Sequence, residues 1–176
     1  MQIKIAIQDA DVKALLQRLK DKVGNLKPAM DEIGQRYERS VLENFANESS
    51  PDGTPWKPLK AQSIAGQYKK SKKKLKGGIR IAYQRYLDGK KILVNKGTLR
   101  DRVKYQATRN SMTIGSTGAI KYAAVHQFGS RADSKNKIPA RPWLAINVGS
   151  EQMDLAPKDK AMVLEVLERH LADAIK

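Results

Sequence analysis

LKPAMDEIGQRYERSVLENF, Leu26 to Phe45, is the stretch whose reading decides the fold. Leu26, Met30, Ile33, Tyr37, Val41 and Phe45 recur at intervals of three and four residues, which puts them on one face of a helix. Pro28 falls in the first turn, where its missing N–H leaves no intrahelical bond unmade. Asp31, Glu32, Arg36, Glu38 and Arg39 fill the remaining positions, so the helix has one dry side and one wet side.

Working outward, Val12, Leu15, Leu16, Leu19 and Val23 repeat the helical spacing until Gly24-Asn25 stops it, so the two segments read as a helical hairpin. Before them, Ile3, Ile5 and Ile7 alternate with polar residues, the period of a short half-buried strand. At the other end, PKDKAMVLEVLERHLADAIK (157–176) carries Met162, Val163, Val166, Leu167, Leu171 and Ile175 as the stripe of an amphipathic helix. Between these poles, RVKYQATR and SMTIGST read as two strands with Arg109-Asn110 at a tight turn, preceded by a helical turn from Thr98 to Arg102. Ile120, Ala123, Ala124 and Phe128 trace a short helix ended by Gly129, and WLAINV reads as a last strand. The expected class is α+β: an N-terminal helical hairpin, a small mostly antiparallel sheet and a C-terminal amphipathic helix, with long interaction loops. Its 176 residues are expected to form one domain, 1–176, with loops at 47–60, 68–80 and 129–142 and no internal repeat.

Composition narrows the function. A hydrophobic content of 40% is ordinary, but a net charge of +16 is not, and it predicts attraction to polyanions without bearing on fold. The absence of cysteine excludes disulfides and thiolate metal sites. No run approaches the roughly 20 apolar residues of a membrane span, and the start lacks the apolar centre of a signal peptide, so a soluble chain with no membrane partner is expected.

Catalytic patterns are not found. His170 sits on the flank of the last helix, and His126 has no serine or carboxylate beside it in sequence. No G-x-S-x-G elbow, Walker loop or strand-borne G-x-G-x-x-G is present, and the carboxylates lie on the polar faces of helices or, for Asp52, in a turn. The expectation is no enzyme, no cofactor and no metal.

Tyr68 to Lys104 holds fourteen Lys or Arg against Asp88 and Asp101. Lys69, Lys70, Lys72, Lys73, Lys74 and Lys76 form its densest part, too poor in apolar residues to pack, and are candidates for facing DNA or another polyanion. Tyr83, Tyr86 and Tyr105 are interleaved in a way that suits stacking on bases. No helix-turn-helix, zinc finger or RNP signature accompanies them, so any contact is with the phosphate backbone. A solvated surface, or one that docks on an acidic partner, reads equally well.

Two loops carry the remaining signal. NESSPDGTPWKPLK (47–60) is turn-rich with Trp56 at its middle, either a buried anchor or an exposed aromatic for a partner. In HQFGSRADSKNKIPARPW (126–143), Pro139 and Pro142 fix their own φ and extend Ile138 and Arg141, giving a stiff segment with Arg141 expected to point outward and Trp143 turning back to the sheet. Ser130 to Lys137 contains one apolar side chain, Ala132, too little to order itself. The segment reads as an arm that touches another protein.

SPDGTPWKPL, KKILVNKGTLRDRV, YAAVHQFG and IPARPWL, in this order, resemble the phage virion morphogenesis, or tail completion, family of Mu-like and P2-like phages. The family pattern of Pro-x-Gly-x-x-Trp falls at Pro51, Gly53 and Trp56, and Gly-x-Leu-Arg at Gly97, Leu99 and Arg100. Tyr-x-x-x-His-Gln-x-Gly falls at Tyr122, His126, Gln127 and Gly129, and Pro-Ala-Arg-Pro-aromatic at Pro139 to Trp143. The last aromatic is often phenylalanine in the family, and the lysine-rich run near Lys69 to Lys76 lies outside the pattern. The resemblance implies a non-enzymatic virion protein, made in the host cytoplasm, that completes the tail or joins it to the head as a ring (hexameric or similar) at the neck. Implied partners are neighbouring tail, neck and connector proteins, with DNA passing through a basic lumen. Trp56, His126, Gln127, Phe128, Gly129, Pro139, Arg141, Pro142 and Trp143 are the residues expected to serve protein contact. The alternative is a nonspecific nucleic-acid-binding protein using residues 68–104.

Overall fold

The computed structural model describes residues 17–18, 20–21, 23–59, 74–75, 78–79, 81–118, 120, 122–131, 134–135, 137–147 and 153–173. The expected strand at Ile3 to Ile7, most of the first helical stripe, and Ile175 lie outside them. The described residues between 17 and 24 are helical, and Asn25 and Leu26 interrupt the helix before α1 begins at Lys27–Asn47. The chain continues through β1 (Lys74–Leu75), β2 (Gly78–Ile79), α2 (Ile81–Asp88), α3 (Thr98–Asp101), β3 (Val103–Ala107) and β4 (Met112–Ser116). It ends with α4 (Ala123–Phe128), β5 (Ile146–Asn147), β6 (Met153–Asp154) and α5 (Pro157–Ala172). Among the described residues the strands form three two-stranded sheets, so the α+β class stands.

α1 is buried along Ala29, Ile33, Tyr37, Val41 and Phe45, each no more than 3% exposed. The stripe is one residue off expectation at its start, where Ala29 is buried and Leu26 and Met30 are half-buried. Strict four-residue steps advance about 40° around a helix of 3.6 residues per turn, so the dry face rotates along the helix. Its early and late residues belong to different compact units of the chain: one gathers described residues of 1–40, 104–115 and 157–176, the other those of 41–103 and 116–156.

In the first unit, Ala29 and Ile33 of α1 pack on Val166 of α5, with Met30, Met112, Met162, Val163 and Leu167 around them. Ser40 Oγ donates to the buried Asp159 carboxylate at 2.8 Å. Burial, and secondarily the Asp159 charge, hold the Tyr37 phenol well above its ordinary value. On the wet side, Arg36 reaches Glu32 at 2.9 Å and Glu165 at 3.1 Å, while Arg169 pairs with Glu32. Such exposed pairs contribute roughly 0–1 kcal/mol each, so the apolar seam dominates this packing. β3 and β4 are joined through Thr108 to Ser111, whose hydroxyls and backbone bond each other around the expected Arg109-Asn110 tip. A connection this short permits only an antiparallel pair.

Gly34 marks the closest approach in this unit. A Cβ there would stand 2.6 Å from Cγ of Tyr105 on β3, so the ring occupies the space a side chain would need. In the second unit, β1 and β2 pair antiparallel, Lys74 with Ile79 and Leu75 with Gly78, inside the lysine-rich run read as an unpacked arm. Lys69, Lys70, Lys72, Lys73 and Lys76 lie outside the described residues, as does the Lys74 side chain.

Gly34→Ala is expected to destabilise by about 1–3 kcal/mol through overpacking, although alanine is the better helix former by about 0.5–1 kcal/mol. Urea midpoints of Gly34→Ala in the wild-type and Tyr105→Ala backgrounds check it: the sign should reverse once the ring is gone. Destabilisation unchanged in the Tyr105→Ala background would mean the ring is not the obstacle.

Candidate functional site

The motif residues meet within the second unit, around the end of α1. Phe45 lies edge-on to Trp56, with ring centroids 5.6 Å apart and planes at 80°, and tilted against Trp143 at 5.9 Å. All three rings are at most 4% exposed, so Trp56 is a buried anchor. The two indoles also bind the chain: Trp56 Nε1 donates to the Pro142 carbonyl at 2.8 Å, and Trp143 Nε1 to the Ala123 carbonyl at 3.3 Å.

The proline-rich loops on either side belong to no sheet ladder, apart from one bridge between Ser49 and Pro55, and their buried polar groups need side-chain partners. Gln127 on α4 supplies them for the Trp143 to Ala145 segment that follows the second loop. Its Oε1 accepts from the Trp143 and Leu144 N–H groups at 3.0 and 3.1 Å. Its Nε2 donates to the Ala145 carbonyl at 2.8 Å and to Asn147 Oδ1 at 2.9 Å. Asn147 Nδ2 returns a bond to the Gln127 carbonyl at 2.8 Å, and Asn44 Nδ2 reaches the Trp143 carbonyl at 3.2 Å. α4 therefore buries a polar residue, Gln127, while Ala124, placed on the apolar stripe by its spacing, is exposed.

Arg141 corrects the sequence reading. Expected to point outward, it is 4% exposed and turned inward, with Nε donating to the Lys57 carbonyl at 2.8 Å and Nη2 to the Pro58 carbonyl at 3.1 Å. The reason lies in the other loop: in Trp-Lys-Pro-Leu, the proline nitrogen cannot donate and the Lys57 and Pro58 carbonyls stay open, which the planar guanidinium fork matches. The Arg141 N–H donates to the His126 carbonyl at 2.7 Å. The extended prolines stiffen the segment as expected, but hold its arginine inside.

Gly129 ends α4 at φ 87°, and a Cβ there would lie 3.0 Å from the Ala140 nitrogen, so both the turn and the returning backbone require glycine. Ser130 N–H donates to the Ile138 carbonyl at 2.9 Å, and Ile138 N–H to Ser130 Oγ at 2.9 Å, closing the base of the loop between them. Ala132, Asp133 and Asn136 at its tip lie outside the described residues. Phe128, Pro139 and Pro142 are half-buried beside this base.

His126 holds the loop through its backbone carbonyl. Its ring stands edge-on to Tyr122 at 5.7 Å, and Nδ1 is buried without a hydrogen-bond partner among the described residues. Burial, and secondarily the Arg141 charge, hold the imidazole below its ordinary value. Among the described residues no three His, Asp or Glu gather as metal ligands, and no helix is long and apolar enough to cross a membrane. Sequence reasoning missed Asn44, Asn147 and Asp159. Asn44 and Asp159 carry a signal only in hindsight, as polar residues next to Phe45 and in the first turn of α5.

Gln127→Leu takes this partner from the buried Trp143 N–H and Ala145 carbonyl, and should cost about 2–6 kcal/mol at roughly 1–3 kcal/mol per unsatisfied group. A loss under about 0.5 kcal/mol in urea unfolding would count against the clamp. For His126, the unfolded chain binds more protons than the folded one from about pH 6.5 down to the lowered folded pKa. Stability should therefore fall as pH drops through about 6.5 and level off below the folded pKa, a slope that His126→Gln removes. Equal slopes in both proteins would assign the effect elsewhere.

Comparison with known proteins follows the same residues. The chain is 27% identical over 177 residues, 99% of both chains, to Mu-like prophage FluMu G protein 2 of Haemophilus influenzae. It is 26% identical over 145 residues, 80% of both chains, to tail completion protein S of Escherichia phage P2. No solved structure matches it significantly. Residues 7–172, which contain the aromatic cluster, the Gln127 clamp and the Pro-Ala-Arg-Pro segment, match the profile of the phage virion morphogenesis family, and the chain belongs to that family.

Proposed function

We propose that this chain is a structural protein of the phage tail that completes the tail or joins it to the head, assembling as a ring of identical copies, hexameric or similar, at the neck or tail terminus. The observation that carries the reading is similarity over 80% of the chain to a protein named for tail completion. Its place is the virion, after assembly in the host cytoplasm beside neighbouring tail, neck and connector proteins, and it acts without catalysis or cofactor as one functional module of residues 1–176.

The inward turn of Arg141 changes which atoms meet a neighbour. Trp56, Gln127, Arg141 and Trp143 set the shape of the 129–142 loop from within, and its outer side chains make contact. Ile138 is the apolar candidate, 37% exposed where the loop closes. A closing ring is built from heterologous contacts, in which a protrusion on one copy meets a different surface on the next. The basic 68–104 stretch, with fourteen cations against two carboxylates, favours a second role facing the DNA that passes through the lumen.

Deleting the gene from the phage or prophage that encodes it should give separate heads and tails, or tails of irregular length, under negative stain. Normal infectious particles would overturn the reading. Ile138→Asp should leave the thermal melt of the isolated chain within the range of surface substitutions, about ±0.5 kcal/mol, and weaken self-association about tenfold or more in mass photometry. Self-association unaffected by Ile138→Asp would remove the loop from the ring contact.

A further inference from the structure

Within the second unit, a cavity of about 360 Å³ opens between the Lys90 to Thr98 segment and α4. Leu59, Leu93, Val94 and Leu99 give it apolar walls. Its polar lining includes Lys90, Lys91, Lys96, His126 and Arg141, and no carboxylate is among the described residues that line it. Lys91 Nζ donates to the Ala46 carbonyl at 3.2 Å, Lys90 Nζ to Asn95 Oδ1 at 2.7 Å, and Arg141 to loop carbonyls, so among the described residues these cations meet neutral acceptors. Burial holds Lys90 below its ordinary value, the direction expected of a cation short of an anion.

The wall is set in advance. Leu93 has φ 58°, a left-handed conformation that costs a non-glycine residue about 1–3 kcal/mol and persists only where its surroundings impose it. Next to it, the Ile92 N–H donates to the Glu48 carboxylate at 2.6 Å, tying the segment to the residue after α1. An occupant of a wall tied down in this way has little ordering left to do.

We propose that this cavity docks a peptide segment of a neighbouring virion protein that places an acidic residue beside an apolar one. The carboxylate sits among Lys90, Lys96 and Arg141, and the apolar side chain lies against Leu93, Val94 and Leu99. The volume is in the range of pockets that take a small ligand, about 300–1,000 Å³, and fits one or two side chains. A DNA backbone presents phosphates on a convex ridge and would leave the apolar walls empty. The identity of the partner as a virion protein rests on the function proposed above, but the chemistry of the cavity does not, and it is read on the isolated chain.

The test is selection from a displayed library of short random peptides on the wild-type chain and on Lys90→Gln/Lys96→Gln, with the preferred sequence then made as a labelled peptide for anisotropy. Wild type should enrich Asp or Glu next to Leu, Ile or Phe. The labelled peptide should bind about tenfold or more weakly to the double variant, and its Gln counterpart about tenfold or more weakly to wild type. Thermal melts confirm folding, and Lys96→Gln alone, at an exposed side chain with no hydrogen bond to lose among the described residues, should shift binding in the same direction. No enrichment of acidic-apolar sequences, or undiminished binding to the variants, overturns the proposal. So does loss of duplex DNA binding in the double variant without peptide binding to wild type, which would make the lysines a nucleic-acid surface.

Discussion

Gln127 is the side chain on which the second unit depends. The chain from Trp143 to Asn147 runs past α4 with its N–H and C=O groups turned inward, and one primary amide engages two of the donors, one carbonyl and the Asn147 amide. A primary amide presents an uncharged carbonyl acceptor and an uncharged NH2 donor side by side, enough for all four of these bonds. A carboxylate could not donate to Ala145, and an ammonium could not accept from Trp143. With the amide in place, Trp143 faces Phe45 and Ala123, its carbonyl meets Asn44, and Arg141 sits one alternation away, aimed at the Trp56 loop. Trp143 also keeps Trp56 in register, since both rings lean on Phe45.

This arrangement explains which parts of the structure were legible in the sequence. α1, α5, the β3–β4 hairpin and the Gly129 stop follow from local rules: periodicity, turn residues and the need for positive φ. The helical period places Val41 and Phe45 correctly because an apolar surface packs along that face of α1. It misplaces the buried face of α4, because a polar residue can be the most buried one when a loop without a ladder lies against it. Arg141 fails for the same reason. Proline geometry correctly gives an extended chain, but on which side the arginine lies depends on carbonyls some eighty residues away at Lys57 and Pro58. The family motifs collect these long-range dependencies: each of the four segments supplies a residue to one aromatic and hydrogen-bonded cluster or to the cavity beside it. Their order was readable, but their meeting was not.

The division between inner and outer residues bears on how the proposed ring could be built. A loop ordered only on binding gives up conformational entropy in every contact, at about 0.5–1.5 kcal/mol per immobilised side chain. Here the indoles, Gln127 and Arg141 fix the base of the 129–142 loop within the subunit, so that part of the ordering is complete before a neighbour arrives. The cost is specificity of shape: the base cannot adapt, and a partner must match it. That suits assembly in which each copy meets the same surface on the next.

Charge follows a similar logic. The net +16 is unevenly used: near α1 and α5, cations are matched by Glu32, Glu38 and Glu165, whereas around the Lys90 to Thr98 segment they bond to neutral oxygens. Cations exposed to water stay hydrated at little expense, but those drawn toward an apolar wall lose part of their hydration and gain from any anion that enters. A surface whose positive charge is both partly desolvated and held by a strained backbone is more selective than a lysine-rich run in water, because an occupant must bring charge and apolar contact together. On this reading the chain presents two kinds of positive charge, one general and one shaped, and only the shaped one can tell partners apart.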